Sequence, residues 1–234
     1  MAPETLKRLI AARSERQTVL LATPLAGGSE LVIDPADEKG LAGLSPPLRE
    51  AVARAAATDF PSRLEADGAP YFINVFSPPP RLIVIGAVHI AQALIPMAHL
   101  AGYDAALIDP RTAFATSARF PGAAIDTRWP DEALAEMRLD RRSAVVVLTH
   151  DPKLDDPALH AALSSDAFYI GALGSRKTHA RRLERLASQG FDEGSLKRIS
   201  GPVGLPLGAK TPAEIAVSIL AEMTGARRGL GRVD

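Results

Sequence analysis

Four short stretches of this chain gather residue types that can bind or polarise a ligand. The first, Gly86-Ala87-Val88-His89-Ile90-Ala91, follows an apolar run and opens a helical pattern. A dinucleotide-binding turn at such a junction reads G-x-G-x-x-G/A, and its middle glycine lets the backbone approach a pyrophosphate. Val88 stands at that middle position. A β-branched side chain there crowds the approach and disfavours the positive φ that glycine supplies. Asp109, 23 residues past Gly86, occupies the place of an acidic residue that holds ribose hydroxyls. Plain close packing of helix on strand explains Gly86 and Ala91 equally well.

The second stretch is Thr149-His150-Asp151-Pro152-Lys153-Leu154-Asp155-Asp156. His150 can donate a proton or ligate a metal, with Asp151 orienting it. The same residues also suit a turn at Asp151-Pro152 and a helix capped by Asp156. The third stretch runs from Gly171 through Gly174, Ser175, Arg176 and Lys177 to His179, followed by Arg181, Arg182 and Arg185. A glycine turn feeding a helix N-terminus offers free amides to an anion. Cations in a first helical turn oppose the helix dipole, which gives Arg176 and Lys177 a reason to hold an anion. The alternative is a solvated basic face with Glu184 as a partner for Arg181 or Lys177. In the fourth stretch, three glycines and two prolines between Gly201 and Thr211 make an irregular loop. Lys210 and the amides beside it can hold an acidic group, or the loop is a connector. No G-x-S-x-G elbow and no H-E-x-x-H occurs, so no standard catalytic set is assigned.

Elements of fixed order must position these stretches. Three consecutive prolines in Ser77-Pro78-Pro79-Pro80 cannot continue a helix or a central strand. They divide the chain into a small N-terminal α+β domain (1–76), a proline linker (77–80) and a C-terminal domain (81–234). The first part reads as a helix with Leu6, Leu9 and Ile10, strands at 18–23 and 30–33, a helix opened by Pro47, and a strand at 71–76. In the second, apolar runs at 81–85, 105–109, 123–126, 143–149 and 168–170 alternate with helical patterns. A helix capped at Asp156 with Pro157 at its first position, a basic helix from Arg176 to Gln189 ended by Gly190, and a final helix are expected. Thr211-Pro212-Ala213-Glu214 is a capping box opening that last helix, with Gly225 at its end. Strand and helix repeated in this way predict an α/β, Rossmann-like, doubly wound parallel sheet.

Composition narrows the functional classes. The 234 residues carry 27 basic and 27 acidic side chains, a balance unlike a dedicated nucleic-acid or membrane-surface binder. No cysteine is present, which removes disulfides, thiolate metal sites, iron–sulfur clusters and cysteine nucleophiles. No apolar stretch reaches the length of a membrane span or a signal-peptide core, so a cytoplasmic protein is expected.

Several ordered motifs resemble the XdhC/CoxI family, the accessory proteins of xanthine dehydrogenase and carbon monoxide dehydrogenase. They are Phe76 through Ala91, Arg119-Phe120-Pro121, Thr149-His150-Asp151, Tyr169 through Arg176, and Gly208 through Ala216, spread over about residues 70–225. The resemblance implies a Rossmann-like domain in a chaperone, commonly dimeric, for the molybdenum cofactor. Such proteins bind the cofactor, shield it during sulfuration by a cysteine desulfurase and deliver it to the apo molybdenum hydroxylase. The cargo is molybdopterin or its cytosine dinucleotide, and paralogous accessory proteins are further partners. Family members carry glycine where this chain has Val88, and no glycine-rich, cysteine-containing motif is found in the N-terminal half. Without cysteine, the chain can serve sulfuration only as a platform.

On this reading the cofactor lies at the carboxyl edge of the sheet. Gly86, Ala87, Val88 and His89 form its floor, Asp109 and Arg111 meet polar groups, and His150 and Asp151 complete the rim. Gly171, Gly174, Ser175, Arg176, Lys177 and Lys210 supply the anion-binding turns. Two other readings use the same fold. One is an NAD(P)-dependent oxidoreductase, which Val88 opposes; the other is a cofactor-free interaction module with an emptied pocket.

Overall fold

In the first part of the chain, side chains alternate between the two faces of a small sheet. Helix α1 (Pro3–Ser14) precedes strands β1 (Val19–Pro24) and β2 (Leu31–Ile33), helices α2 (Glu38–Ala42) and α3 (Pro46–Thr58), and strands β3 (Ser62–Ala66) and β4 (Ala69–Phe76). The strands pair antiparallel in the order β2-β1-β4-β3. Leu20, Ala22, Ile33 and Ile73 pack with Leu48, Val52 and Ala55 of α3, while Val19, Val32 and Phe76 meet Leu9 and Ala12 of α1. Successive residues of a strand point to opposite faces, so one sheet serves both helices. Strand β3 and helix α2 lie outside the pattern expected from sequence. Asp67 and Gly68 turn β3 into β4 with φ of 54° and 74°, the type I′ geometry for which Asp-Gly is a favoured pair.

This computed structural model describes residues 1–230, and the chain divides into two units, the first Met1–Pro78 and the second beginning at Pro79. The division falls inside the proline run.

The second unit alternates strand and helix: β5 (Arg81–Ile85), α4 (His89–Leu100), β6 (Asp104–Ile108), β7 (Ala124–Asp126), α5 (Pro130–Met137), β8 (Ser143–Val147), α6 (Pro152–Leu163), β9 (Tyr169–Ala172), α7 (Arg176–Ser188), α8 (Glu193–Leu196), β10 (Ile199–Ser200) and α9 (Pro212–Arg227). Its six strands are parallel in the order β10-β9-β8-β5-β6-β7. The order reverses between β5 and β8, the crevice where open α/β sheets bind ligands. Leu82 and Val84 face a core shared with Leu94 of α4 and Ile219 and Met223 of α9. Ile83 and Ile85 face the other core, with Leu134 of α5 and Leu159 of α6. Burial on both faces explains why β5 and β8 read as unbroken apolar runs. The expected Rossmann-like sheet and the small antiparallel N-terminal sheet are both present.

Two boundaries differ from expectation for local reasons, and three short elements are unexpected. Helix α6 starts at Pro152, one turn before the expected cap: the Asp151 side chain accepts from the Lys153 amide at 2.9 Å, which leaves Asp155, Asp156 and Pro157 inside the helix. Helix α9 has the expected capping box between Thr211 and Glu214 but runs past Gly225 to Arg227. Helices α5 and α8 and the two-residue strand β10 are too short to show a period in sequence.

Leu94 is fully buried between the sheet and α9. Leu94→Ala should lower unfolding stability by about 2–5 kcal/mol, read as a shifted urea midpoint at unchanged slope.

Candidate functional site

The turns after β5 and β8 approach each other so closely that no side chain fits between them. Gly86 has φ +112°, and a Cβ there would lie 2.5 Å from Cγ2 of Thr149. Gly86 therefore serves contact between the two central strands as much as any ligand. Val88 has φ −102° and ψ 170°, extended backbone open to any residue, so the positive φ considered for this position does not arise. Its side chain is half-buried and packs onto the core beneath α4. His89 is exposed at the first position of α4.

Asp109 faces inward rather than toward a ribose. Its carboxylate is fully buried, Oδ2 accepting from the Ala87 amide and from Nη2 of Arg111, both at 2.7 Å. Oδ1 accepts from the Arg111 amide and Nε, both at 2.9 Å. In this arrangement Asp109 anchors the β5 turn and presents Arg111, whose guanidinium also stacks 5.2 Å from the centre of the exposed Phe114 ring. Burial pushes the Asp109 carboxyl up, but the Arg111 guanidinium and the Ala87 and Arg111 amides outweigh it and hold the group below its ordinary value.

The second and third stretches meet at the carboxyl edge. His150 is exposed and holds a left-handed backbone, φ +62°, a sparsely populated state for a residue with a side chain. A Cβ on Gly174, whose φ is +139°, would lie 3.8 Å from Nδ1 of His150. Beneath them, the Thr149 hydroxyl donates to Asp155 Oδ1 at 2.6 Å and accepts from the Asp151 amide at 3.1 Å. Asp155 pairs with Arg182 at 3.3 Å, and each side chain is only 2% exposed. Arg182 also donates to the Leu173 carbonyl at 2.9 Å, linking the turn after β8 to the turn after β9. Burial pushes the Asp155 carboxyl up, against the Thr149 hydroxyl and the Arg182 charge. Arg182 thus lies inside the fold rather than on the basic face of α7, and Asp151 is a helix cap rather than a partner for His150.

Around the turns expected to bind an anion, roles separate. Gly171 is buried within β9, where a Cβ would lie 2.5 Å from Cγ2 of Val203; the position serves packing and does not face the edge. Ser175 caps α7, accepting from the Thr178 amide at 3.1 Å. Arg176 and Lys177 follow on exposed positions, and among the described residues neither has an ion-pair partner. Lys210 is exposed, and its amide donates to Glu214 Oε2 at 2.8 Å.

A cavity of about 550 Å³ opens between the β9 turn and the loop 201–209. Leu173 and Arg176 line it on one side, and Ile215, Ser218 and Glu222 of α9 on the other. Glu222 is 7% exposed, and its Oε2 accepts from the Tyr169 hydroxyl and, at 2.7 Å, from the Gly204 amide. Sequence reasoning passes over Glu222, although a signal exists: it is a charge three residues after Ile219 and beside Met223, on the apolar face of α9. Among the described residues no group of three or more His, Cys, Asp and Glu can hold a metal ion, and no helix is long and apolar enough to cross a membrane.

Comparison with known proteins bears on this edge. A family model described as the XdhC Rossmann domain matches residues 82–223. The chain is 37% identical over 161 residues to a probable xanthine dehydrogenase subunit of Bacillus subtilis, covering 67% of this chain and 46% of that protein. It is 34% identical over 152 residues to the molybdenum cofactor insertion chaperone PaoD of Escherichia coli, covering 65% of this chain and 42% of that protein. The chain thus spans less than half the length of these two relatives. A crystal structure of a xanthine dehydrogenase from Bacillus halodurans superposes with a TM-score of 0.71 at 23% identity, over 97% of this chain and 67% of that one, a likeness of fold.

Two substitutions test the site's framework. Gly86→Ala places a methyl against Thr149 at a left-handed φ and should cost about 2 kcal/mol or more in a urea titration. Asp109 has its folded pKa below the unfolded value of 3.8, so its stabilisation is complete above that pH and is lost as pH falls through the folded value. Because Arg111 is 40% exposed, water screens the pair, and Asp109→Asn should cost about 1–2 kcal/mol at pH 7. That difference from wild type should shrink as urea titrations are taken below pH 3.8, since Asp155 contributes equally to both proteins.

Proposed function

Because this chain belongs to the family of the XdhC Rossmann domain, we propose that it is an accessory protein, not an enzyme, which binds molybdenum cofactor and hands it to an apo molybdenum hydroxylase. The observation that carries this reading is the 34% identity over 152 residues to a molybdenum cofactor insertion chaperone. The residues suit such a cargo. Molybdopterin carries a phosphate, and its cytosine dinucleotide a pyrophosphate. The capped N-terminus of α7, with Arg176 and Lys177 unpaired among the described residues, offers amides and positive charge to either. Gly86 through His89, Arg111, and His150 beside Gly174 border the same carboxyl edge. A homodimer acting in the cytoplasm, meeting the hydroxylase, a cysteine desulfurase and paralogous accessory proteins, completes the reading.

A second reading draws on a specific feature of the edge where β5 and β6 end. Both Asp109 oxygens serve internal donors, and Val88 fills the place of a glycine. An interaction module that binds the hydroxylase without cofactor would need nothing more from this part of the edge.

Anaerobic native mass spectrometry separates the two. Protein purified from a host that makes molybdopterin and its cytosine dinucleotide should carry a bound mass equal to one of them. The double variant Arg176→Ala with Lys177→Ala should retain at least about tenfold less. A bare wild-type polypeptide, under conditions where a known carrier keeps its ligand, would transfer the assignment to the cofactor-free module.

A further inference from the structure

We propose that two copies of this chain pair through the outer face of α4 and α9, Leu100 of each copy seating in an apolar groove on α9 of the other. The two helices pack side by side over one face of the parallel sheet. Helix α4 contains no Asp, Glu, Lys or Arg. Between Ile215 and Ala226, the ionisable residue of α9 is Glu222, which is buried. Helices α5, α6 and α7, over the opposite face, are rich in such residues. A helix at a protein surface has one apolar stripe, facing the core. These two carry a second. Ala93, Pro96, Met97 and Leu100 recur at i, i+3, i+4 and i+7 along α4, all half-buried or exposed. Val217, Leu220, Ala221 and Thr224 repeat the same spacing along α9, again half-buried or exposed. Thr224 spends its hydroxyl on the Leu220 carbonyl at 2.7 Å, so it adds no open donor to the stripe.

An apolar face of this extent is a liability in water, so its occupant must be present whenever the chain is. Three features make that occupant a second copy. The surface is complementary to itself, as a two-fold interface requires. Leu100 stands 91% exposed at the end of α4, and Val217, Leu220, Ala221, Thr224 and Leu230 line a groove of about 480 Å³. The face also lacks the charges that steer and select a different partner; its polar border is Arg228 at the groove and His99 beside Leu100. Interfaces that form and part are as polar as ordinary surface, whereas permanent homodimer interfaces are more apolar. Size is the third feature. Helices of 12 and 16 residues are about 18 and 24 Å long and about 10 Å across, so two such faces bury on the order of 1,000 Å² together. That reaches the area a specific interface needs. The proposal extends the homodimer of the preceding reading and does not depend on its cargo.

The test is sedimentation velocity on the full chain across micromolar concentrations. Wild type should sediment as a dimer. Leu100→Asp and Val217→Asp each put a charge into a surface that pairing desolvates, and each should weaken the dimer at least about thirtyfold. Both side chains are exposed in a single copy, so the urea midpoint of either variant should stay near wild type. Ala135→Asp, exposed on α5 over the opposite face, should remain a dimer. A second readout needs no loss of pairing. The chain has no cysteine, so Leu100→Cys protein mixed with Val217→Cys protein should be joined by a short bismaleimide into a cross-linked dimer. A monomeric wild type gives the face to another partner or another segment and overturns the proposal. A dimer that survives both Asp substitutions assigns pairing to a different face and also overturns it. Where an Asp variant misfolds, the cross-link decides, and its absence overturns the proposal. Native mass spectrometry keeps the two readings apart. A dimer that depends on Leu100 but holds no cofactor sustains this surface and removes the carrier; cofactor on a monomeric wild type does the reverse.

Discussion

Where β5 and β8 end, the backbone at Gly86 lies against the side chain of Thr149 too closely for any Cβ. Thr149 cannot retreat, because its hydroxyl is held by Asp155, Asp155 by Arg182, and Arg182 by the Leu173 carbonyl. One steric contact therefore registers the turns after β5, β8 and β9 against one another. The buried pair in that chain is better regarded as a positioning device than as a source of stability. Desolvating two charges offsets most of their attraction, whereas removing one partner alone strands the other. The left-handed backbone of His150 follows from the same constraint: with Thr149 fixed and Asp151 committed to capping α6, the intervening residue must turn sharply.

Polarity along the carboxyl edge is divided in two. On the β6 side, Arg111 is matched by Asp109 and also feels Asp151 and Asp155, so its charge is largely answered from within the protein. On the β9 side, the first turn of α7 carries Arg176 and Lys177 and no acidic residue. An incoming anion thus meets uncompensated positive charge toward β9 and an internally balanced network toward β6. By charge alone, an anion at this edge is drawn toward β9, away from the crevice that a dinucleotide fingerprint would mark.

Much of this was legible in the chain. Runs such as Leu82-Ile83-Val84-Ile85 announce strands buried on both faces, and Thr211 with Glu214 announces the start of α9. What escaped has physical causes. Strand β10 is two residues long, and its pairing with β9 is a tertiary matter. Strand β3 reads Ser-Arg-Leu-Glu-Ala, polar because it is an edge strand, and only the Asp67-Gly68 pair betrays its hairpin. Two prolines five residues apart compete to open α6, and the nearer acid to the strand, Asp151, wins. The functional residues divide in the same way. Exposed cations at a helix start, such as Arg176, follow from type and spacing. Whether Asp109 faces a ligand or the interior depends on Arg111 folding back over it, which no spacing rule encodes.

The cavity beside α9 has an unusual origin. Apart from Leu173 and Arg176, every residue lining it comes from the continuous stretch between Gly201 and Glu222. That stretch is tied to itself: the Gly204 amide reaches Glu222, the Leu205 amide reaches the Ser218 carbonyl, and the Lys210 and Thr211 amides reach Glu214. Loop and helix form one self-bracing cassette that meets the sheet through its apolar face, the Tyr169–Glu222 hydrogen bond and the Val203 amide on the Ala172 carbonyl. Selection can therefore reshape the chamber by exchanging some twenty neighbouring codons, leaving the strands and their register untouched.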